Sequence, residues 1–342
     1  MPELPPFLAA CRREPTPYTP IWLMRQAGRY MAEYRAVREK FSFLELCKTP
    51  DAAAEVTVTA VERLGVDAAI IFADILLVLE PMGIRIEFGR GDGPVIHDPV
   101  RAAADVDRLR AVEPDALAYV GESIRRARAA LRPDVPLIGF AGAPFTLASY
   151  LVEGGSSHAH TRTRTFMMTD AGAWHALLGR LSCAVAGYLN LQIAAGAQAV
   201  QLFDSWVGCL SPADYREYVL PHMQTLIAAI TPRVPVIHFG TGTTGLLEAM
   251  RAAGGDVLGV DWRVDLDAAW ARVGHDTAVQ GNLDPAALFA PIPEIRRRAA
   301  AILGQAAGRP GHIFNLGHGI MPGTPVDHVR ALVDTVHELS AR

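Results

Sequence analysis

The feature that most constrains this chain is a recurring unit: a short apolar run without polar alternation, a turn bearing Gly, Asp or His, then a helical pattern. The runs fall at 21–24, 68–72, 137–140, 199–203, 234–239, 257–260, 277–279 and 312–315. Apolar runs this short suit strands buried on both faces, as in a parallel sheet. Eight such strands alternating with helices, with no Ser/Gly linker, predict a single-domain (β/α)8 TIM-type barrel with extra helices in the longer loops. The domain is expected to occupy 1–342, with 1–19 as an N-terminal arm. A doubly wound open sheet is the structural alternative. Helix starts are marked by Thr49-Pro50-Asp51, leading to a helix that ends near Gly65. Ser211-Pro212 precedes a predicted helix over 213–230, and Asp284-Pro285 repeats the signal. The long spacings 83–136 and 142–198 leave room for further helices and for a strand pair near 84–97.

Of the 342 residues 50% are apolar, enough for a large core, and 32 basic side chains face 36 acidic ones, a net charge of −4. That balance excludes a protein that coats nucleic acid through a general basic field; a polyanionic ligand would have to be caught by a local cluster. Cys11, Cys47, Cys183 and Cys209 have neither C-x-x-C pairing nor framework spacing, so they are expected as reduced thiols of a cytoplasmic chain, with no zinc site built from them. Met1-Pro2-Glu3-Leu4-Pro5-Pro6 lacks the charged-then-apolar plan of a secretion signal. The longest apolar stretch, 68–79, is interrupted by Asp74 and is too short for a bilayer, so no membrane partner is expected.

In such a barrel the reactive groups follow the strands, at their carboxyl ends. Those positions hold Arg25, Asp74, Gly142, Ser205, Gly240, Asp261, Asn282 and His318. Arg25 and Arg29 stand four apart across Gln26-Ala27-Gly28, and Arg38 follows. Guanidinium forks match carboxylates, and small residues let backbone N–H groups approach a ligand. The alternative for Arg29 is a surface pair with Glu33. Asp74, inside Ile70-Ile71-Phe72-Ala73-Asp74-Ile75-Leu76-Leu77, must be hydrogen-bonded or have raised proton affinity; it is either a helix cap or a lone anion aimed at an N–H-rich or electron-poor ligand. Tyr150 lies one helical turn beyond Thr146 and can return to the rim. His318, between two glycines, is expected to face a cleft.

One pattern points elsewhere. Gly240-Thr241-Gly242-Thr243-Thr244-Gly245 follows a strand, and Asp261 lies about twenty positions on, as in a dinucleotide fingerprint. Its place two-thirds along the chain favours a Gly-rich barrel loop instead. His158-x-His160 has no acidic or Cys partner at ligand spacing, so no metal is expected.

Together, the segment from Pro20 to Arg29, that from Gly139 to Tyr150, Phe203-Asp204-Ser205, His238-Phe239-Gly240, Gln280-Gly281-Asn282-Leu283-Asp284-Pro285 and Asn315-Leu316-Gly317-His318-Gly319 resemble the uroporphyrinogen decarboxylase family. The resemblance spans essentially the whole chain. It implies a (β/α)8 barrel and a cofactor-free homodimer that converts the four acetates of uroporphyrinogen III to methyl groups, giving coproporphyrinogen III. Carried over by position, Arg25, Arg29 and Arg38 would hold substrate carboxylates, with Gln26, Ala27 and Gly28 lining the same loop. Asp74 would sit under the macrocycle, Tyr150, Ser205 and His318 would contact it, and Phe203 would wall the cleft. Corrinoid-type methyltransferases on the same barrel hold zinc through a His-x-Cys pair and a later Cys. Here His238 is followed by Phe239-Gly240, and no cysteine lies beyond Cys209. The remaining alternatives are a nicotinamide-dependent oxidoreductase using the Gly240-to-Gly245 loop, and a tetrapyrrole carrier without turnover.

Overall fold

The computed structural model describes residues 4–89 and 93–342; the first three residues of the expected arm, and residues 90–92 within the expected strand pair, lie outside the described residues. The strands are β1 (Ala69–Ile70), β2 (Ile86–Phe88), β3 (Pro94–Ile96), β4 (Leu137–Gly142), β5 (Ala199–Asp204), β6 (Val236–Gly240), β7 (Val257–Gly259), β8 (Ala278–Gln280) and β9 (His312–Ile313). Seven of them form one parallel sheet in the order β1-β4-β5-β6-β7-β8-β9, and β2 pairs antiparallel with β3 as a separate ribbon. The parallel strands are buried on both faces, which is why their sequences read as mainly apolar runs with only single buried polar residues such as Gln201, His238, Gln280 and His312.

The sheet curls until its ends meet at Ile21. Phe314 N–H donates to Pro20 O at 2.8 Å, and Ile21 bridges Phe314 in parallel. On the other side Asp67 N–H donates to Ile21 O (2.8 Å), while Ile21 N–H donates to the Asp67 carboxylate (2.7 Å). The same carboxylate takes the Tyr18 hydroxyl at 3.0 Å and stands 2.8 Å from His337 Nε2. Asp67 thus fastens the arm, the first strand and the C-terminal helix at the amino end of the barrel.

The expected strand over 21–24 is reduced to this single bridge. The reason lies in its N–H groups: Leu23 donates to Gln26 Oε1 and Met24 to Asn315 Oδ1, both at 3.1 Å, so side chains replace the neighbouring backbone. Pro50–Leu64 forms as expected, closed by Gly65 in the left-handed region (φ 71°). The single helix expected over 213–230 is instead two, Pro212–Tyr218 and Leu220–Ala228, broken at Val219. Pro221 lacks an N–H and crowds the preceding turn, so the first helix stops before it. The long connections carry the extra helices, among them Ala118–Ala130, Pro144–Glu153, Thr161–Thr169 and Ala171–Ala194.

Inside the barrel, polar rungs cross between staves. Trp22 Nε1 donates to Gln280 Oε1 (2.8 Å), and Gln280 Nε2 to Gln201 Oε1 (3.0 Å). Gln201 and Phe203 share one face of β5, so this layer lies just beneath the floor of the mouth.

Candidate active site

The carboxyl mouth of the barrel opens into a cavity of about 1150 Å3. Its described lining draws on stretches within 24–43, 70–76, 140–150, 203–205 and 318–322, with Phe88, Gly89, Gly93 and Pro94, so one arc of the rim builds it.

The first wall is the loop after Ile21. With Leu23 and Met24 pinned by side chains, the chain turns so tightly that Gln26 N–H returns to Leu23 O (2.9 Å) and Arg25 adopts φ 62°. A non-glycine residue there costs about 1–2 kcal/mol, offset by the side-chain clamps. Gly28 keeps the turn tight, since a Cβ there would stand only 3.0 Å from Arg25 O. Arg25 lies across Gly319, where a Cβ would come within 2.5 Å of its Cδ. Ala27, Gly28, Arg29 and Arg38 also line the cavity, but Gln26 does not. Gln26 is buried, donating from Nε2 to Ala68 O (3.1 Å), and its own carbonyl accepts the Tyr30 hydroxyl (2.7 Å). It props the loop from behind. Glu33 pairs with Arg63, leaving the Arg29 head directed at the mouth rather than into the alternative surface pair.

Asp74 forms the floor. After Ile71 donates to Ile138 O, Phe72 N–H turns to Thr57 Oγ1 (2.9 Å) and the strand ends. One Asp74 oxygen accepts from Leu76 N–H at 2.8 Å, a local turn bond two residues along, just before the short helix Leu77–Leu79. The other has no hydrogen bond among the described residues and meets the cavity. The expected helix-cap role is not realised, since Leu76 precedes Leu77–Leu79 with no side-chain cap; one Asp74 oxygen makes a turn bond and the other is left to the cavity. Its surroundings are dense protein although the cavity leaves the group half-buried rather than sealed. Burial lifts its pKa to about 6, against the Leu76 N–H and the Arg25 charge, which pull it down. Desolvation wins because a single hydrogen bond and one cation at the rim do not replace a full hydration shell.

The same cavity is lined by Phe140, Phe203, Tyr150, Ser205 and His318. Phe203 packs edge-on to Phe140 (5.5 Å between centroids) and to Phe239 (6.0 Å), which fixes it as a wall. His318 is pushed down to about 4 by burial and by the charges of Arg25 and Arg263, so at neutral pH it is an uncharged hydrogen-bonding group. Burial, with the nearby Asp74 charge, raises the Tyr150 hydroxyl, which keeps it protonated as a donor. Sequence reasoning missed the aromatic side of the mouth: Phe43 lies 6.0 Å from Phe72 and 4.8 Å from Phe88, and Tyr34 5.6 Å from Phe72. Arg38 stacks over Phe43 at 5.9 Å and donates to Phe41 O, and Lys40 completes the lip. The cavity thus offers four cations against the two carboxylates of Asp74 and Glu39.

The opposite arc carries similar residue types but spends them internally. Asp261 accepts from Gly242 N–H (2.5 Å), Arg263 N–H (3.0 Å) and the Arg263 guanidinium (2.5 Å). Asn282 donates to Asp261 O and Val264 O (2.9 and 2.7 Å). The Gly-rich loop is packed so closely on Gly208 that a Cβ there would strike Thr241 O. Its acidic residue is consumed and no helix starts directly on the loop, since the next begins at Leu247; the dinucleotide reading is not favoured.

Barrel and mouth together define a (β/α)8-type enzyme whose cavity suits a large, carboxylate-bearing ligand. A family model described as "Uroporphyrinogen decarboxylase (URO-D)" matches residues 3–339. A uroporphyrinogen decarboxylase of Sorangium cellulosum (strain So ce56) is 61% identical, covering 97% of this chain and 96% of its own. That of Carboxydothermus hydrogenoformans is 58% identical over 98% and 96%. Among solved structures, a methyltransferase from Methanosarcina mazei superposes with a TM-score of 0.79 at 22% identity, over 98% of this chain and 99% of that one, a likeness of fold. The chain belongs to the uroporphyrinogen decarboxylase family, and is a carboxy-lyase of porphyrin biosynthesis.

Proposed function

We propose that this chain removes CO2 from the four acetate side chains of uroporphyrinogen III, giving coproporphyrinogen III, with no cofactor and with Asp74 as the group on which the chemistry turns. An acetate on a neutral pyrrole cannot shed CO2, because the electron pair left behind has no acceptor. Protonating the adjacent ring carbon makes a cationic, iminium-like ring. The carbon–carbon bond then breaks, its electron pair enters the ring and CO2 departs, leaving an exocyclic methylene. A second proton completes the methyl group, and loss of the first from the ring carbon restores the pyrrole. The protein must therefore stabilise a positive ring in a site that also holds carboxylates.

The observation that carries this reading is the divided role of Asp74: one oxygen fixed by Leu76 N–H, the other open to the cavity. An ionised carboxylate about 4 Å from the cationic ring, at an effective dielectric near 20, contributes roughly 4 kcal/mol, or about a thousandfold in rate. The cation in turn favours the ionised form, countering the burial that raises its pKa. Arg25, Arg29 and Arg38 hold peripheral carboxylates by their forks, with Ala27 and Gly28 giving backbone access and Gln26 setting the loop. Tyr150, Ser205 and His318 contact the macrocycle, and Phe203 supports its flat face.

The expected assembly is a homodimer in the cytoplasm, a reading that rests on the family resemblance; among the described residues no helix is long and apolar enough to cross a membrane. Sedimentation tests the assembly. Anaerobic incubation with uroporphyrinogen III, followed by separation of products by carboxyl number, tests the activity. Stepwise conversion to the four-carboxyl product supports it, whereas tight binding with no conversion would indicate a carrier.

A further inference from the structure

The exit of β5 is held in a way that the chemistry above does not use. Asp204, His238 and Thr146 are all fully buried, in the layer between sheet and helices. Thr146 Oγ1 donates to Asp204 Oδ1 at 3.2 Å and accepts from Trp206 N–H at 3.3 Å. His238 Nε2 stands 3.4 Å from the second oxygen, Asp204 Oδ2. The two residues flanking Asp204 are tied as well: Ala143 N–H donates to Phe203 O (2.9 Å), and Thr241 Oγ1 to Ser205 O (2.5 Å). Every residue from Phe203 to Trp206 is thus anchored to the elements after β4 or β6, and Trp206 in turn lies against Tyr150, 5.9 Å between centroids.

A buried carboxylate is costly to keep, and a fold needing only a packed layer would place an apolar residue here. We infer that Thr146 and Asp204 are positioning residues for the decarboxylation, a clamp that aims Ser205 and Tyr150 at the bound macrocycle. Three facts point to this. The Thr146 hydroxyl is a single hinge between the Pro144–Glu153 helix, which carries Tyr150, and the turn that carries Ser205. One hydroxyl therefore sets the spacing of two cavity-lining side chains. Asp204 and Phe203 alternate on β5, one facing the helices and the other the cavity, so a shift of Asp204 is transmitted to the wall. Finally, His238 Nε2 stands 3.4 Å from the second Asp204 oxygen across the strand pair, so the acceptor is flanked on both sides.

The inference rests on the reading of Ser205 and Tyr150 as substrate contacts, so both are tested beside the clamp. In anaerobic assays well below the melting temperature, Thr146→Val, which keeps shape and removes the hydroxyl, is expected to raise KM about tenfold while kcat falls less than threefold. Thr146→Ser, which retains the hydroxyl, is expected to stay within threefold of the parent in both. Ser205→Ala and Tyr150→Phe are expected to raise KM by a similar factor. A Thr146→Val enzyme with parental KM, its kcat reduced only in proportion to the folded fraction, overturns the clamp and leaves a structural role. So does a Thr146→Ser enzyme as impaired as Thr146→Val. If Ser205→Ala and Tyr150→Phe both retain parental KM, the contact reading itself fails, and the clamp with it.

Discussion

Asp74 and Asp261 each stand at the carboxyl rim of the same barrel, shortly after a strand, within short apolar surroundings. Asp261 is almost wholly buried, and both of its oxygens are engaged by Gly242 and Arg263. Asp74 gives one oxygen to Leu76 N–H and presents the other to a cavity of about 1150 Å3. The same division runs through the two arcs to which they belong. On one, Arg25, Arg29, Ser205 and His318 meet the cavity; on the other, Asn282 and the Gly240-to-Gly245 loop are closed on one another. Residue type at the rim does not separate them. What does is whether the protein has already supplied the partners.

That contrast can be broken by four substitutions, taken from the largest expected effect to the smallest. Asp74→Asn keeps the shape and the Leu76 hydrogen bond and removes the charge; anaerobic kcat is expected to fall about a thousandfold. The same variant is expected to be more stable at neutral pH. The folded pKa of about 6 lies above the ordinary carboxyl value of 3.8, so the native state binds more protons between those values and stability declines as pH rises through that window. The full shift corresponds to about 3 kcal/mol, and access of water to the cavity reduces it to about 1–2 kcal/mol; thermal melts at pH 7.5 check the gain.

Arg29→Lys keeps the charge and loses the fork, and kcat/KM is expected to drop by about 10- to 100-fold, measured on the eight-carboxyl substrate. Gly319→Ala adds a methyl group where Arg25 now lies and is expected to raise KM about tenfold with little change in melting temperature, since only a rim side chain is displaced. Asp261→Ala, on the closed arc, should reverse the pattern: a loss of about 1–2 kcal/mol of stability from its lost hydrogen bonds, since water takes up the exposed Gly242 and Arg263 donors, with kcat within about threefold of the parent. A thousandfold loss of turnover there would erase the distinction between the arcs.

Much of the fold was legible because parallel strands buried on both faces leave short, mainly apolar runs. The stave at 21–24 was not, since its N–H groups go to Gln26 and, across almost the whole chain, to Asn315. The break at Pro221 was visible in the sequence and was overridden by the apolar pattern around it. At the site, Arg25, Asp74, Tyr150, Ser205 and His318 were marked by position, and their convergence on one cavity follows from the barrel. The idleness of Asp261 was half legible, in Arg263 two residues on; its bond to Gly242 was not. Nothing local distinguishes Phe43, Phe72 and Phe88 from core aromatics, because their common exposure to the cavity arises only when a helix, a strand exit and the β2–β3 ribbon meet. The reason for Gly319 likewise lies in Arg25, at the other end of the chain.

The central claim is that turnover needs Asp74 ionised beneath the ring. It is tested most directly by the pH dependence of kcat/KM under anaerobic conditions, compared between the parent and Asp74→Asn. Since kcat/KM reports groups of the free enzyme, the parent is expected to lose activity as pH falls through about 6. The residual activity of Asp74→Asn should lack that limb, whatever limb the substrate's own carboxylates impose on both. Superimposable profiles, or a variant with parental turnover at pH 7.5, would contradict the account.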